Sequence, residues 1–306
     1  MNTGFTAETR IPLGTSGLGV AALGWGMWRF AGAERTEARA RVDAALEAGC
    51  TLFDTADVYG LGGNCGFGGA EALLGEVLRE DPTLRPRMVI ATKAGITPPV
   101  PYNSTTAYLL AACEASLRRL GIEQIDLFQI HRPDLLAHPG EIAAAFDRLR
   151  ADGKIRAAGV SNYTAAQIES LCAHLPFELA TIQPEFSPLA IEPLNDGVLD
   201  VALKRGIAVL AWSPLGQGRL GAGSAFASDA RVQAVIAALD DVAARAGVDR
   251  TAVAYAWVMA HPTRAIPLIG SQNPTRIREA TRAYRVELTR EEWYRILVAS
   301  RGQPLP

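Results

Sequence analysis

Four side chains in the first half of this 306-residue chain have types that can move a proton together: Asp54, Tyr59, Lys93 and His131. A tyrosine hydroxyl, with a pKa of about 10, is a poor acid or base at neutral pH, but a lysine ammonium beside it stabilises the phenolate and lowers that value. A carboxylate next to the lysine keeps it charged and oriented, and a histidine can position a carbonyl oxygen or share its proton. Such a set suits proton delivery to an oxygen that is gaining negative charge. It contains no Ser or Cys nucleophile and no metal. Hydride transfer to a carbonyl creates that oxygen, and protein side chains supply no hydride, so a nicotinamide cofactor is implied.

Singly, each residue has an ordinary explanation as a turn cap, a surface charge or a hydrogen-bonded core histidine. Jointly they form a pattern, because the first polar residue after three consecutive apolar runs is Asp, then Lys, then His. The runs belong to a repeated unit of helix, glycine and short strand. "ARARVDAALEAGCTLFDTA", "ACEASLRRLGIEQIDLFQIH", "AFDRLRADGKIRAAGVSN" and "LDVALKRGIAVLAWS" are its clearest copies, with Gly49, Gly121, Gly153 and Gly206 where a helix end favours a left-handed residue.

Strands are expected near residues 20–28, 51–54, 88–93, 125–131, 155–161, 180–183, 207–213 and 265–269. Helix starts are marked by a capping box of Thr164 with Gln167, by Ser104 or Thr105, and by Pro139 in a first turn. Eight strand-helix units close into a parallel (β/α)8 barrel of the TIM type, an α/β fold. "RIPLGTSGLG" predicts a small amino-terminal hairpin capping the barrel floor, and "LTREEWYRILVAS" an extra carboxyl-terminal helix; no linker is visible, so residues 1–306 read as one domain.

In such a barrel the carboxyl ends of the strands open on one face, where chemistry takes place. Asp54, Lys93 and His131 stand there, as do Ser161, Asn162, Gln183, Trp212, Ser213, Gly270 and Ser271, while Tyr59 returns from the loop after Asp54. Asp57 reads as a turn or loop anchor. A metal hydrolase built on Asp54, Asp57 and His131 is disfavoured by the lack of a second suitably spaced histidine.

Bulk properties agree with a globular enzyme. The chain is 49% apolar and 20% charged, with a net charge of −2 and no basic block, so nucleic acid is not an expected partner. No apolar stretch is long enough for a membrane span, no secretion signal is recognisable, and Cys50, Cys65, Cys113 and Cys172 form no metal or disulfide pattern, so a cytoplasmic location is expected. "GLGVAA" imitates a dinucleotide fingerprint but runs into "LGWGMW", which is a poor helix.

At these residues the chain resembles the aldo-keto reductase family, in particular a bacterial short-tailed subgroup. "LFDTADVYG", "FDRLRADGKIRAAGVSNY" and "IPLIGSQNPTRIREA" are similar to its three motifs, and "LFQIHRPD" and "LAWSPLGQG" fit between them in order. The resemblance implies Tyr59 as general acid with Asp54, Lys93 and His131. It places Ser161, Asn162 and Gln183 on the nicotinamide carboxamide and Trp212, where the family usually has Tyr, under the ring. Gly26 and Met27 would line the cofactor, and Ser213, Leu215, Gly216 and Gln217 the pyrophosphate.

Gly270, Ser271, Arg276 and Glu279 would face the adenosine end. The family's usual Lys or Arg beside that Ser is absent, and Ala280 stands for a frequent Asn, yet Arg276 favours NADPH over NADH. Trp25 and Trp28 are the expected substrate wall of an open site, and the insert "LGGNCGFGG" (61–69) reads as a plain loop. The substrate class implied is a small carbonyl compound, the assembly a monomer. The alternative on the same fold is a cofactor-sensing regulatory subunit with little turnover.

Overall fold

The computed structural model describes residues 4–223 and 229–305. Eight strands form a closed parallel barrel: β1 (Gly24–Gly26), β2 (Leu52–Asp54), β3 (Val89–Ala94), β4 (Ile125–Ile130), β5 (Ile155–Ser161), β6 (Thr181–Gln183), β7 (Ala208–Ala211) and β8 (Ile266–Ile269). Neighbours in sequence are neighbours in space, and β8 closes on β1 through Leu268 opposite Gly24. The strands are almost wholly buried, as parallel strands covered by helices must be.

Around them run α1 (Arg35–Glu47), α2 (Gly69–Glu80), α3 (Thr106–Leu120), α4 (Pro139–Ala151), α5 (Ala165–Cys172) and α6 (Val198–Arg205). Two helices, α7 (Ala230–Ala246) and α8 (Arg250–Met259), join β7 to β8, and α9 (Pro274–Glu279) and α10 (Arg290–Arg301) follow. The helix ends obey the local chemistry. Gly49, Gly121, Gly153 and Gly206 all have positive φ, between 66° and 78°. Thr164 and Gln167 form the full capping box of α5, and Pro139 sits in the first turn of α4. Of the two candidates before α3, Thr105 is the cap and Ser104 is buried beneath it.

The expected first strand, 20–28, divides in two. Gly19–Ala21 pairs antiparallel with Arg10–Pro12 in the floor hairpin, and only Gly24–Gly26 enters the barrel. Every residue from Val20 to Trp25 is buried, so apolar periodicity could not mark the break. The hairpin caps the amino ends of the strands: Ala21 N–H donates to Thr51 Oγ1 (2.9 Å), and Gly14 lies against the backbone of Leu179 and Ala180. "GLGVAA" therefore forms hairpin strand and opens no helix.

Helix α10 docks through Trp293, which stacks on Trp257 of α8 at 4.8 Å and 7°. Each indole N–H donates to the other's backbone carbonyl at 3.1 Å. A second hairpin, Ile96–Thr97 with Val100–Tyr102, rises from the loop after β3. It was not foreseen from the sequence, because "ITPPVPY" holds three prolines in seven residues and reads as loop.

Candidate active site

Strand β2 ends on Asp54, which is buried, and the chain after it is pinned to the neighbouring strand: Thr55 N–H donates to Ala91 O and Asp57 N–H to Lys93 O. This fixes the turn that returns half-buried Tyr59 toward β3. Lys93 is fully buried, and its ammonium donates to Asp54 Oδ1 (2.6 Å), Thr55 O (2.9 Å) and Tyr59 Oη (3.3 Å). Three N–H groups meet three acceptors, so the lysine is saturated. Because Tyr59 oxygen accepts from Lys93, its own proton is left to point elsewhere.

Asp54 Oδ2 accepts from Gln183 Nε2 (2.9 Å) and more weakly from Gln129 Nε2 (3.4 Å), and Gln129 Oε1 in turn accepts from Thr181 Oγ1 (3.1 Å). His131, one residue past β4, faces Tyr59 edge to face, with ring centroids 5.6 Å apart. These groups converge from four strands and one loop.

Burial is the largest influence on Tyr59 and raises its hydroxyl pKa; Lys93 lowers it, but not enough to compensate. The expectation of a lowered tyrosine is thus reversed in the ligand-free protein, where Tyr59 stays protonated. Burial pulls the Lys93 ammonium down, yet Asp54 and Tyr59 together hold it above its ordinary value. His131 lies well below 6.5, through burial first and then through Lys93 and Arg132, so its imidazole is neutral.

A second set of polar groups continues across the mouth. Ser161 Oγ donates to Gln183 O (2.9 Å), and Asn162 Nδ2 donates to Ser161 Oγ (2.8 Å) and His131 O (3.2 Å). Asn162 has φ of 61°, a left-handed conformation that Asn tolerates better than most residues. Its Oδ1 accepts from Trp212 Nε1 (2.9 Å), which fixes both the amide and the half-buried indole. After Trp212 the chain turns through Ser213, Leu215, Gly216 and Gln217, three of them at positive φ. This turn, with the Ser161 hydroxyl and the Asn162 amide, offers polar groups suited to a nicotinamide dinucleotide.

The far end is sparser. Gly270 has nothing within 4 Å of where a Cβ would stand. Ser271 Oγ accepts from Asn273 N–H (3.2 Å), and Gln272 Nε2 donates to Gly26 O (3.1 Å). On α9, Arg278 pairs with Glu47 and Glu279 with Arg282, whereas exposed Arg276 has no carboxylate partner among the described residues. Met27 is buried, and its N–H donates to Asp54 O (2.8 Å). Trp28 is 65% exposed, but Trp25 is fully buried against Phe30 and Phe53. Trp25 is therefore barrel wall and not an open substrate surface.

Asp57 sits in the loop that its N–H ties to Lys93 O, and its buried carboxyl, with no hydrogen bond of full geometry among the described residues, lies beside Val58 N–H and the Tyr108 hydroxyl of α3. Burial, followed by nearby Glu71, pushes the Asp57 carboxyl up to about 8, with Arg119 partly opposing. Glu71 is itself buried, bonded by Thr92 Oγ1 (2.5 Å) and Arg119 Nε (2.7 Å). Gln129 and Thr181 were missed in the sequence, although a signal existed: each lies two residues before a site residue, His131 or Gln183, on the same strand face. Among the described residues no helix is long and apolar enough to cross a membrane.

Residues 18–299 match the Aldo/keto reductase family. The chain belongs to that family. It is 52% identical over 296 residues to a 6-dehydroglucose reductase of Novosphingobium aromaticivorans, covering 96% of each chain. A 6-dehydroglucose reductase of Agrobacterium fabrum is 36% identical, over 91% of this chain and 94% of its own. A crystal structure of a thermostable aldo-keto reductase with the inhibitor epalrestat superposes with a TM-score of 0.81 at 25% identity, covering 95% of this chain and 99% of that one. The protein is thus an aldo-keto reductase oxidoreductase on a (β/α)8 barrel, of a family that uses a nicotinamide cofactor.

Proposed function

We propose that the protein reduces an aldehyde with NADPH, with Tyr59 as the proton donor, and that its substrate is a small hydroxylated aldehyde of the 6-dehydroglucose type. The observation that carries the chemistry is the saturated Lys93 ammonium, bonded at once to Asp54, Thr55 O and Tyr59. The substrate class rests on the names of the two 6-dehydroglucose reductases similar to this chain.

Bound NADPH would supply the hydride that reaches the carbonyl carbon. Tyr59 gives its proton to the carbonyl oxygen, and Lys93 stabilises the phenolate left behind. Asp54, held by Gln183 and Gln129, keeps Lys93 charged and aimed. Neutral His131 orients the carbonyl oxygen by hydrogen bonding without competing as an acid. Ser161, Asn162 and Gln183 would hold the carboxamide, with Trp212 under the ring and residues 213–217 along the pyrophosphate.

Ser271 and Arg276 would meet the 2′-phosphate. Arg276 is suited to this because its neighbours Arg278 and Arg282 are committed to ion pairs. Gly26, Met27, Gly270 and Glu279 complete the cofactor wall, and exposed Trp28 the substrate side. The test is cofactor consumption with 6-dehydroglucose, other sugars and simple aldehydes. NADPH should support faster turnover than NADH, and a polyhydroxylated aldehyde should surpass an apolar one. Tight NADPH binding without turnover of any carbonyl would overturn the reading in favour of a cofactor sensor.

A further inference from the structure

Arg132 follows His131 at the barrel mouth and is half-buried. Its guanidinium carbon lies 5.6 Å from the centroid of the Trp212 ring, and its nitrogens enter no ion pair or hydrogen bond among the described residues. The indole it faces is held at its edge by Asn162.

Other charges lie around this point, among them Arg219, whose Nε donates to Gly216 O (3.0 Å), and Glu192, both near Glu185. Lys93 and Asp54 form a closed buried pair at 2.6 Å. His131 is neutral. Glu185, paired in a bridge with Trp212, is the opposing group, but burial raises its carboxyl pKa and Gln217 occupies one oxygen (3.4 Å). Arg132 is a charge beside this platform with no ion-pair or hydrogen-bond partner among the described residues.

Oxidised and reduced nicotinamide cofactors share their phosphates and adenosine and differ in one positive charge on the ring. A cation near the ring site disfavours the oxidised form relative to the reduced one, whereas contacts to the rest of the cofactor affect both equally. We propose that Arg132 biases the site toward the reduced cofactor, weakening its hold on NADP+ relative to NADPH and so favouring carbonyl reduction on the enzyme. This rests on the proposed placement of the nicotinamide against Trp212. The overall reaction equilibrium is untouched; what shifts is the balance of bound states and inhibition by the oxidised product.

The experiment is measurement of Kd for NADPH and for NADP+ by quenching of tryptophan fluorescence in the intact protein. Wild type should bind NADPH more tightly. Arg132→Met should reduce the ratio of the two Kd values by roughly fivefold, the scale of unit charges separated by several ångströms at a half-buried site. Arg132→Lys should retain most of the ratio, Glu185→Gln should widen it, and added salt should compress it. Equal changes in both Kd values in Arg132→Met, or an unmoved ratio in a variant that melts like wild type, would overturn the inference while leaving the proposed function standing. Failure of wild type to bind either form would remove both.

Discussion

The two ends of the proposed cofactor groove are built differently. At the nicotinamide end, Asp54, Lys93, Tyr59 and Gln183 are interlocked by bonds of 2.6–3.3 Å before any ligand arrives. At the adenosine end, Gly270 borders open space and exposed Arg276 has no ion-pair partner among the described residues. Preorganisation is concentrated where the proposed proton transfer would take place and a misplacement of an ångström would be costly. The adenosine end needs only affinity, which an exposed cation can contribute on contact.

That contrast sets the expected order of effects. Lys93→Met removes the partner of a buried Asp54, so turnover should fall at least about a thousandfold and stability by about 3 kcal/mol, read from kcat and urea unfolding. A folded variant with near-normal kcat would break the claim of preorganisation. Asp54→Asn should lower kcat about a hundredfold, since the neutral amide no longer holds the ammonium in place. Arg276→Ala should leave kcat intact and raise the KM for NADPH about tenfold while sparing NADH. Gly270→Lys should do the reverse and tighten NADPH a few-fold, because the position is sterically open.

Asp57→Asn gives the smallest effect on activity, within about threefold, since Asn resembles the neutral acid that burial enforces there. Its signature lies in stability. The folded protein retains the Asp57 proton up to about pH 8, whereas the unfolded chain releases it near its ordinary value of 3.8. Between those values the folded state binds more protons, so stability falls as pH rises. The variant should flatten that slope by roughly 3–4 kcal/mol between pH 5 and 8 in thermal or urea unfolding. An unchanged slope would contradict a raised Asp57 carboxyl.

The barrel was legible because its signals are local and repeated. Each of Gly49, Gly121, Gly153 and Gly206 ends a helix with left-handed geometry, and each following strand is an apolar run. That Asp54, Lys93 and His131 come together was legible because each interrupts such a run. What escaped was set by distance in the fold. Trp25 looked like a mouth residue until the packing of Phe30 and Phe53 placed it in the core. The raised Asp57 carboxyl was not foreseen, because burial and Glu71, fourteen positions on, set it. The sign of the Tyr59 shift depended on burial outweighing Lys93, which spacing along a chain does not reveal.

The most direct measurement is single-turnover oxidation of NADPH by Tyr59→Phe with 6-dehydroglucose, alongside Kd for NADPH. The phenyl ring preserves packing and removes only the hydroxyl bonded to Lys93. The expected result is a fall in the hydride-transfer rate of at least about a thousandfold with Kd within about twofold of wild type. A Tyr59→Phe protein that binds NADPH normally and reduces the aldehyde at the wild-type rate would contradict Tyr59 as the proton donor.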